Sequence, residues 1–219
     1  MPDDRSPSSL TISPQNGLDF AQITLSALSA DIWQALDRAA VDRHSPWHTT
    51  VVATSDAAGV PDLRTVVLRG CDPVARTLRF HTDRRSAKID VLRANPQAAL
   101  LFYDPASKVQ LRARGPISLV THGPFFEQVW TETALMSRRC YLTDPPPGTV
   151  ADRPITGLPG DLGQRRPRAE ESEAGRANFT LAIIRVAHFD WLHLAADGHR
   201  RAQFSWDLQG NSTAQWVAP

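Results

Sequence analysis

Short β-rich runs separated by turn signals succeed one another along most of this chain, without the strand–helix alternation that a doubly wound parallel sheet requires. HTTVVAT (48–54), LRTVVLR (63–69) and TLRFHT (77–82) come first, punctuated by Asp56-Ala57-Ala58-Gly59 and Gly70-Cys71-Asp72-Pro73. Runs at 98–103 and 109–120 follow, joined by Asp104-Pro105-Ala106-Ser107. FTLAIIRV (179–186) is uninterrupted, and shorter runs lie at 191–194, 202–206 and 214–217. Three stretches have helical spacing. One is 29–43, with Ile32, Trp33, Leu36, Ala39 and Ala40 on one stripe, Asp31 in its first turn and Arg43 in its last. Another is 86–94, capped by Ser86 and stopped by Asn95-Pro96. The third runs from Pro124 to about 137 and displays Phe125, Phe126, Val129 and Trp130. This pattern predicts a mainly β fold with α: an antiparallel barrel with flanking helices packed on it.

With 219 residues, 42% hydrophobic and 21% charged, there is enough apolar material for one core. A chain of this size buries roughly 70% of its unfolded surface. A single domain over 21–219 is expected, behind a Ser-, Pro- and Asp-rich mobile arm at 1–20. That arm lacks the basic and apolar regions of a signal peptide, and no run approaches the ~20 apolar residues that span a bilayer. With so few cysteines, a cytoplasmic location is expected. The net charge of +1 argues against a general nucleic-acid binder and a polybasic membrane protein. Cys71 and Cys140 form no CxxC, and no HExxH or carboxylate cluster suggests a metal. Residues 141–177 turn to proline, glycine and mixed charge, with one helical turn expected at 169–174. A loop of that length is either a functional lid or a disordered excursion.

Basic residues gather after the second and third runs. Arg64 and Arg69, five apart, point to opposite faces of a regular strand, although the one at the strand end can curl toward the same ligand. Thr82 leads into Asp83-Arg84-Arg85, and Ser86 starts a helix with Lys88 in its first turn. A hydroxyl, a helix start and flanking cations are the parts of a phosphate cradle. Arg84, Arg85 and Lys88 are unfavourably placed at a helix start unless an anion sits there. A nucleotide, a flavin phosphate or a sugar phosphate would satisfy this pattern, which is neither a Walker nor a Rossmann loop. Solvated strand-end cations and a simple serine cap are the ordinary alternative.

RTVVLR (64–69), FHTDRRSAK (80–88), NPQAALLFYDP (95–105) and KVQLRARG (108–115), in that order and spacing, resemble the pyridoxamine 5'-phosphate oxidase-like, FMN-binding split-barrel family. Trp191, His199, Arg201 and the closing WVAP (216–219) are similar too, so the likeness covers roughly 45–120 and 178–219. It implies an antiparallel, Greek-key split β-barrel, FMN as cofactor, and a homodimer with FMN sites at the interface built from both chains. It further implies that Arg64, Thr65, Val66, Val67, Leu68 and Arg69 line the FMN phosphate and ring, with Arg69 where lysine is usual. His81 and Thr82 stand for the family's aromatic–Thr pair. Ser86-Ala87-Lys88 stands for Ser-Arg-Lys, so Arg84 or Arg85 is expected to supply the missing charge. Gln110 is expected to reach the flavin's polar edge from the partner subunit and Trp191 to close on the ring. Arg201 is expected to stabilise charge at the pyrimidine edge of the reduced flavin.

The departures concern the substrate. Asp197-Gly198-His199 stands where the oxidases carry Arg-x-His, and an aspartate there would repel a phosphorylated substrate. Only Ser137, Arg138, Arg139 and Tyr141 are candidates for the middle-helix residues that bind the substrate phosphate. The flavin site is better kept than the vitamin B6 phosphate site, which argues against pyridoxamine phosphate as the substrate. The implied activity is that of an FMN-dependent oxidoreductase, passing two electrons between an unidentified small substrate and oxygen or another acceptor. His199 would be its proton donor or hydrogen-bonding partner. One rival is a flavin-binding protein without turnover. Another is a split barrel holding haem or a deazaflavin, with His81, His122 or His193 as the axial donor if haem is bound.

Overall fold

A computed structural model describes residues 23–219, and the arm expected at 1–20 lies outside them. Among the described residues nine strands form: β1 Thr49–Ser55, β2 Pro61–Asp72, β3 Thr77–Asp83, β4 Gln97–Asp104, β5 Val109–Val120, β6 Phe179–Arg185, β7 His188–His193, β8 Arg200–Trp206 and β9 Ser212–Val217. Six of them, in the order β4-β1-β2-β3-β6-β5, close into an antiparallel barrel through the β4–β5 pairing, and β7, β8 and β9 extend the sheet from β5. The mainly β split barrel expected from the sequence is therefore the fold.

β5 is the strand that splits. One edge pairs with β4 over residues 109–116; the other pairs with β7 over residues 109–114 and, past Gly115, with β6 over 117–120. Period-two alternation decides which side chains fill the barrel. Val52, Leu68, Phe80, Leu100, Phe102, Leu111 and Ile184 point inward and are almost wholly buried. The helix α1 (Leu25–Val41) lays Leu28, Ile32, Trp33, Leu36 and Ala39 against the same core, with Trp33 and Phe189 ring centroids 4.8 Å apart. It starts earlier than the expected 29, because Thr24 caps it by accepting a hydrogen bond from the Ala27 amide at 3.1 Å. Asp31 is consequently past the first turn.

A second, smaller core lies on the outside of β3 and β6. Here α3 (Pro124–Glu132) packs Phe126, Val129 and Trp130 on Phe179 and Leu181. The single helix expected to reach about 137 breaks at Thr133-Ala134 and resumes as the short α4 (Leu135–Arg138). At the break the Thr133 hydroxyl donates to the Val129 carbonyl at 2.6 Å, and Arg138 Nε donates to the Thr133 carbonyl at 3.0 Å. Between β3 and β4 runs α2 (Lys88–Ala94), preceded by a helical Ala87. Ser86 does not cap it: no side-chain hydrogen bond is made at its cap position. Within 141–177 the expected helical turn forms as α5 (Ala169–Glu173). The loop is fastened along its length. Arg139 donates to the Leu162 carbonyl at 3.1 Å, Arg165 joins Asp161 and Glu171, and Asn178 donates to the Tyr141 carbonyl at 2.9 Å.

Candidate flavin-phosphate and ring-edge site

Strand pairing lines up outward-pointing side chains in rows across the sheet. One row reads Thr65, Val51, Leu101, Arg112, Asp190 and Gln203, crossing from β2 to β8. The next reads Tyr103, Gln110, Leu192 and Arg201. Leu101, Tyr103, Arg112 and Arg114 are exposed on this face. Thr65 and Val67 therefore lie toward one end of a broad sheet face left open among the described residues, and Gln110 and Arg201 lie toward the other.

The basic residues expected to hold a phosphate sort themselves by parity. Arg64 bends back to the mouth of the barrel, where it donates to Thr54 Oγ1 at 2.6 Å and pairs with Asp62. Lys88 Nζ donates to Thr82 Oγ1 at 3.0 Å and to Ser86 Oγ at 2.8 Å, so the serine orients a cation instead of capping a helix. Burial, followed by the charge of Arg64, pushes the Lys88 ammonium below its usual range, while Asp83 and Asp62 offset part of that. A cation held by neutral hydroxyls and pressed by a second cation suits an incoming anion. The residues here fit a phosphate group.

Arg85 is differently employed. Its Nε and Nη2 reach both oxygens of the buried Asp83 at 3.0 and 2.7 Å, and Nη2 also reaches Thr143 Oγ1 at 3.0 Å. Its Nη1 donates to the carbonyls of Thr143 and Asp144 at 2.9 and 3.3 Å. Every N–H of this guanidinium has an acceptor, and its work is to pin the start of the long loop. Arg84 is exposed, with one long bond to the Ala177 carbonyl.

On the opposite side of β2, the register slips at Arg69, which is left unpaired in a bulge between Leu68 and Gly70. Arg79 Nη2 satisfies its carbonyl at 2.9 Å, crossing Gly70 where a Cβ would lie 3.0 Å from that guanidinium. Arg69, Arg79, His81, Glu132 and Ser137 line a cavity of about 270 Å³ beneath α3. Burial, then the charges of Arg79 and Arg69, push the His81 imidazole down to about 3, so it is neutral. Of the four middle-helix candidates, only Ser137 lines this cavity. Arg138 is buried against Glu173 at 2.8 Å and over the Trp130 ring, Tyr141 belongs to the second core, and Arg139 holds loop carbonyls.

Leu68 fills the barrel core, Val66 packs against it, and Trp191 is 1% exposed within it. Trp191 thus serves the packing first, edge-on to Trp216 at 6.4 Å. His199 is exposed in the β7–β8 hairpin turn, where its Nδ1 accepts from the Ala195 amide at 3.2 Å. Two contributors escaped the sequence reading. Arg79 shares the outward parity of His81 in TLRFHT, which is a legible signal. Asp190, 4% exposed, accepts from Arg201, Arg112 and Gln203, and only strand pairing reveals that.

Residues 30–121 match the family profile of the pyridoxamine 5'-phosphate oxidase FMN-binding domain. This segment is similar to the FMN-binding domain of the pyridoxamine 5'-phosphate oxidase-like family. The match covers most of α1, β1 to β5 and every predicted phosphate ligand from Arg64 to Lys88. The pyridoxine/pyridoxamine 5'-phosphate oxidase of Nitrobacter winogradskyi is 49% identical over 70 residues, 32% of this chain and 32% of that protein. The oxidase of Anaeromyxobacter dehalogenans is 40% identical over 84 residues, 38% of this chain and 41% of its own. The alignments thus span 32% and 41% of the length of these oxidases. A pyridoxamine 5'-phosphate oxidase-related, FMN-binding protein of Nostoc punctiforme shares the fold at a TM-score of 0.66 and 24% identity, covering 87% of this chain and 96% of that one. PhzG of Burkholderia lata, solved with tetrahydrophenazine-1-carboxylic acid, shares it at 0.65 and 15% identity, covering 89% and 92%.

Proposed function

We propose that this protein binds FMN and acts as a flavin-dependent oxidoreductase on a small substrate other than pyridoxamine phosphate. The observation that carries the reading is Lys88, held by Thr82 and Ser86 and pressed by Arg64 inside the segment that matches an FMN-binding domain. FMN would supply the two-electron chemistry. The chain's own residues bind and orient it: Lys88 and Arg64 hold the phosphate, and Thr65 and Val67 lie along the ring. The Arg69–Arg79 cavity would receive an anionic group of the substrate. Thr65 and Val67 sit toward one end of the molecule's open sheet face while Gln110 and Arg201 sit toward the other. A second copy related by a two-fold axis would bring the two ends together, which favours a homodimer with composite sites.

Titration of purified protein with FMN, read by quenching of flavin fluorescence, tests this. The wild type is expected to quench with one site per chain, while Lys88→Met and Arg64→Ala are expected to bind at least about tenfold more weakly. Failure of the wild type to take up FMN would end the proposal.

A further inference from the structure

The carboxylate of Asp190 is the most heavily engaged acceptor on the open sheet face. Its Oδ1 accepts from Arg201 Nε at 3.0 Å. Its Oδ2 accepts from Arg201 Nη2 at 2.7 Å, Arg112 Nη2 at 2.7 Å and Gln203 Nε2 at 3.0 Å. Strand pairing builds this cluster: Arg112 on β5 and Gln203 on β8 lie directly opposite Asp190, and Arg201 lies on the diagonal. The carboxylate is almost fully buried, while the Arg112 and Arg201 side chains keep 50% and 26% of their surface.

Two parallel bonds between a planar guanidinium and a carboxylate fix the orientation of the guanidinium. The edge of Arg201 not turned to Asp190 remains available as a donor surface. These residues line a cleft of about 390 Å³ that Arg114 and His188 also border. Burial pushes the Asp190 carboxyl up, but the bonds from Arg201 and Gln203 and the charges of Arg112 and Arg201 outweigh it and leave the group below the usual carboxylate range. It is therefore ionised at neutral pH. Two cations against one anion leave this patch attractive to an electron-rich edge, yet less so than an unpaired Arg201 would be.

We infer that Asp190 is a positioning residue: it clamps Arg201 at a fixed angle on the open face and moderates its charge, so that Arg201 meets the polar edge of the flavin already oriented. This rests on the proposal that FMN binds here. Nothing in the cluster requires Asp190 to touch the flavin itself.

The test combines Asp190→Asn, Arg201→Ala and the double variant, measuring the FMN dissociation constant and the midpoint potential of the bound flavin. Asp190→Asn is expected to weaken FMN binding about tenfold through loss of orientation. It is also expected to move the potential to a more positive value through release of the guanidinium charge. In the Arg201→Ala background the same substitution is expected to leave the FMN dissociation constant unchanged and to shift the potential less, through the release of Arg112 alone. An equal effect in both backgrounds, or no effect in the wild type, overturns the clamp. Should Asp190→Asn not fold, Gln203→Leu removes one of the four bonds and keeps the charge. It is expected to weaken FMN binding about twofold to threefold, and an unchanged constant counts against the proposal. A wild type that takes up no FMN refutes the function reading itself, whereas FMN uptake indifferent to position 190 refutes the clamp alone.

Discussion

A Cβ added to Gly115 would lie 2.0 Å from the carbonyl oxygen of Arg185 and 2.9 Å from the amide nitrogen of Ala187. The chain leaving β6 crosses β5 at this point, where β5 exchanges β7 for β6 as its neighbour, and the Ala187 amide donates to the Arg114 carbonyl at 2.9 Å. The obstruction is backbone on both sides, so no rotamer relieves it. Gly115→Ala is expected to cost at least about 3 kcal/mol or to abolish folding. Gly163, with nothing within 4 Å of an added Cβ, is the control, and its alanine variant should stay within about 0.5 kcal/mol of wild type. Urea unfolding decides between them.

Arg85 joins Asp83 to the start of the 141–177 loop through Thr143 and Asp144. Arg85→Ala is expected to loosen that loop and leave the Lys88 cluster in place. Limited proteolysis should then cut within 141–177 several times faster than in wild type, while the FMN dissociation constant changes less than about threefold. Loss of FMN binding as large as that of Lys88→Met would instead assign Arg85 to the phosphate.

His81 is half-buried beneath α3, and its neutral form is favoured down to about pH 3. An unfolded histidine titrates near 6.5, so between those values the unfolded chain binds a proton that the folded one does not. Stability contributed by this group is complete above about pH 6.5 and is lost as the pH falls toward 3, with a slope of at most about 1.4 kcal/mol per unit. Thermal melts of wild type and His81→Phe across this range should diverge in slope; parallel curves would show that the ring does not stay neutral.

Trp191 was expected to close on a flavin ring, and the structure gives it a place in the barrel core. Trp191→Ala is expected to cost about 3–5 kcal/mol in chemical denaturation, with or without added FMN. A variant of unchanged stability that merely binds flavin less tightly would contradict the core assignment.

Strand number and side-chain parity were legible because they depend on neighbours in the chain; strand limits were less so, since the run read at 191–194 is a strand over His188–His193. The runs read at 63–69, 77–82 and 109–120 all fall within strands, and the opposite facing of Arg64 and Arg69 followed from their spacing alone. Helix ends were less legible. The break at Thr133-Ala134 comes from the Arg138 guanidinium reaching back to the Thr133 carbonyl, and the stripe of apolar residues runs on past it. Ser86, read as a cap, turned out to hold Lys88.

The sequence by itself determined that this would be an antiparallel β protein with cations after its second and third strands, since period and turn chemistry are local. Tertiary structure alone decided that Asp190 meets Arg112, 78 residues away, and that Arg85 belongs to the loop. It also decided that Gly115 must remain without a side chain. Such contacts depend on which strand edges pair and in what register. That choice is made by the whole core closing at once, and no local pattern records it.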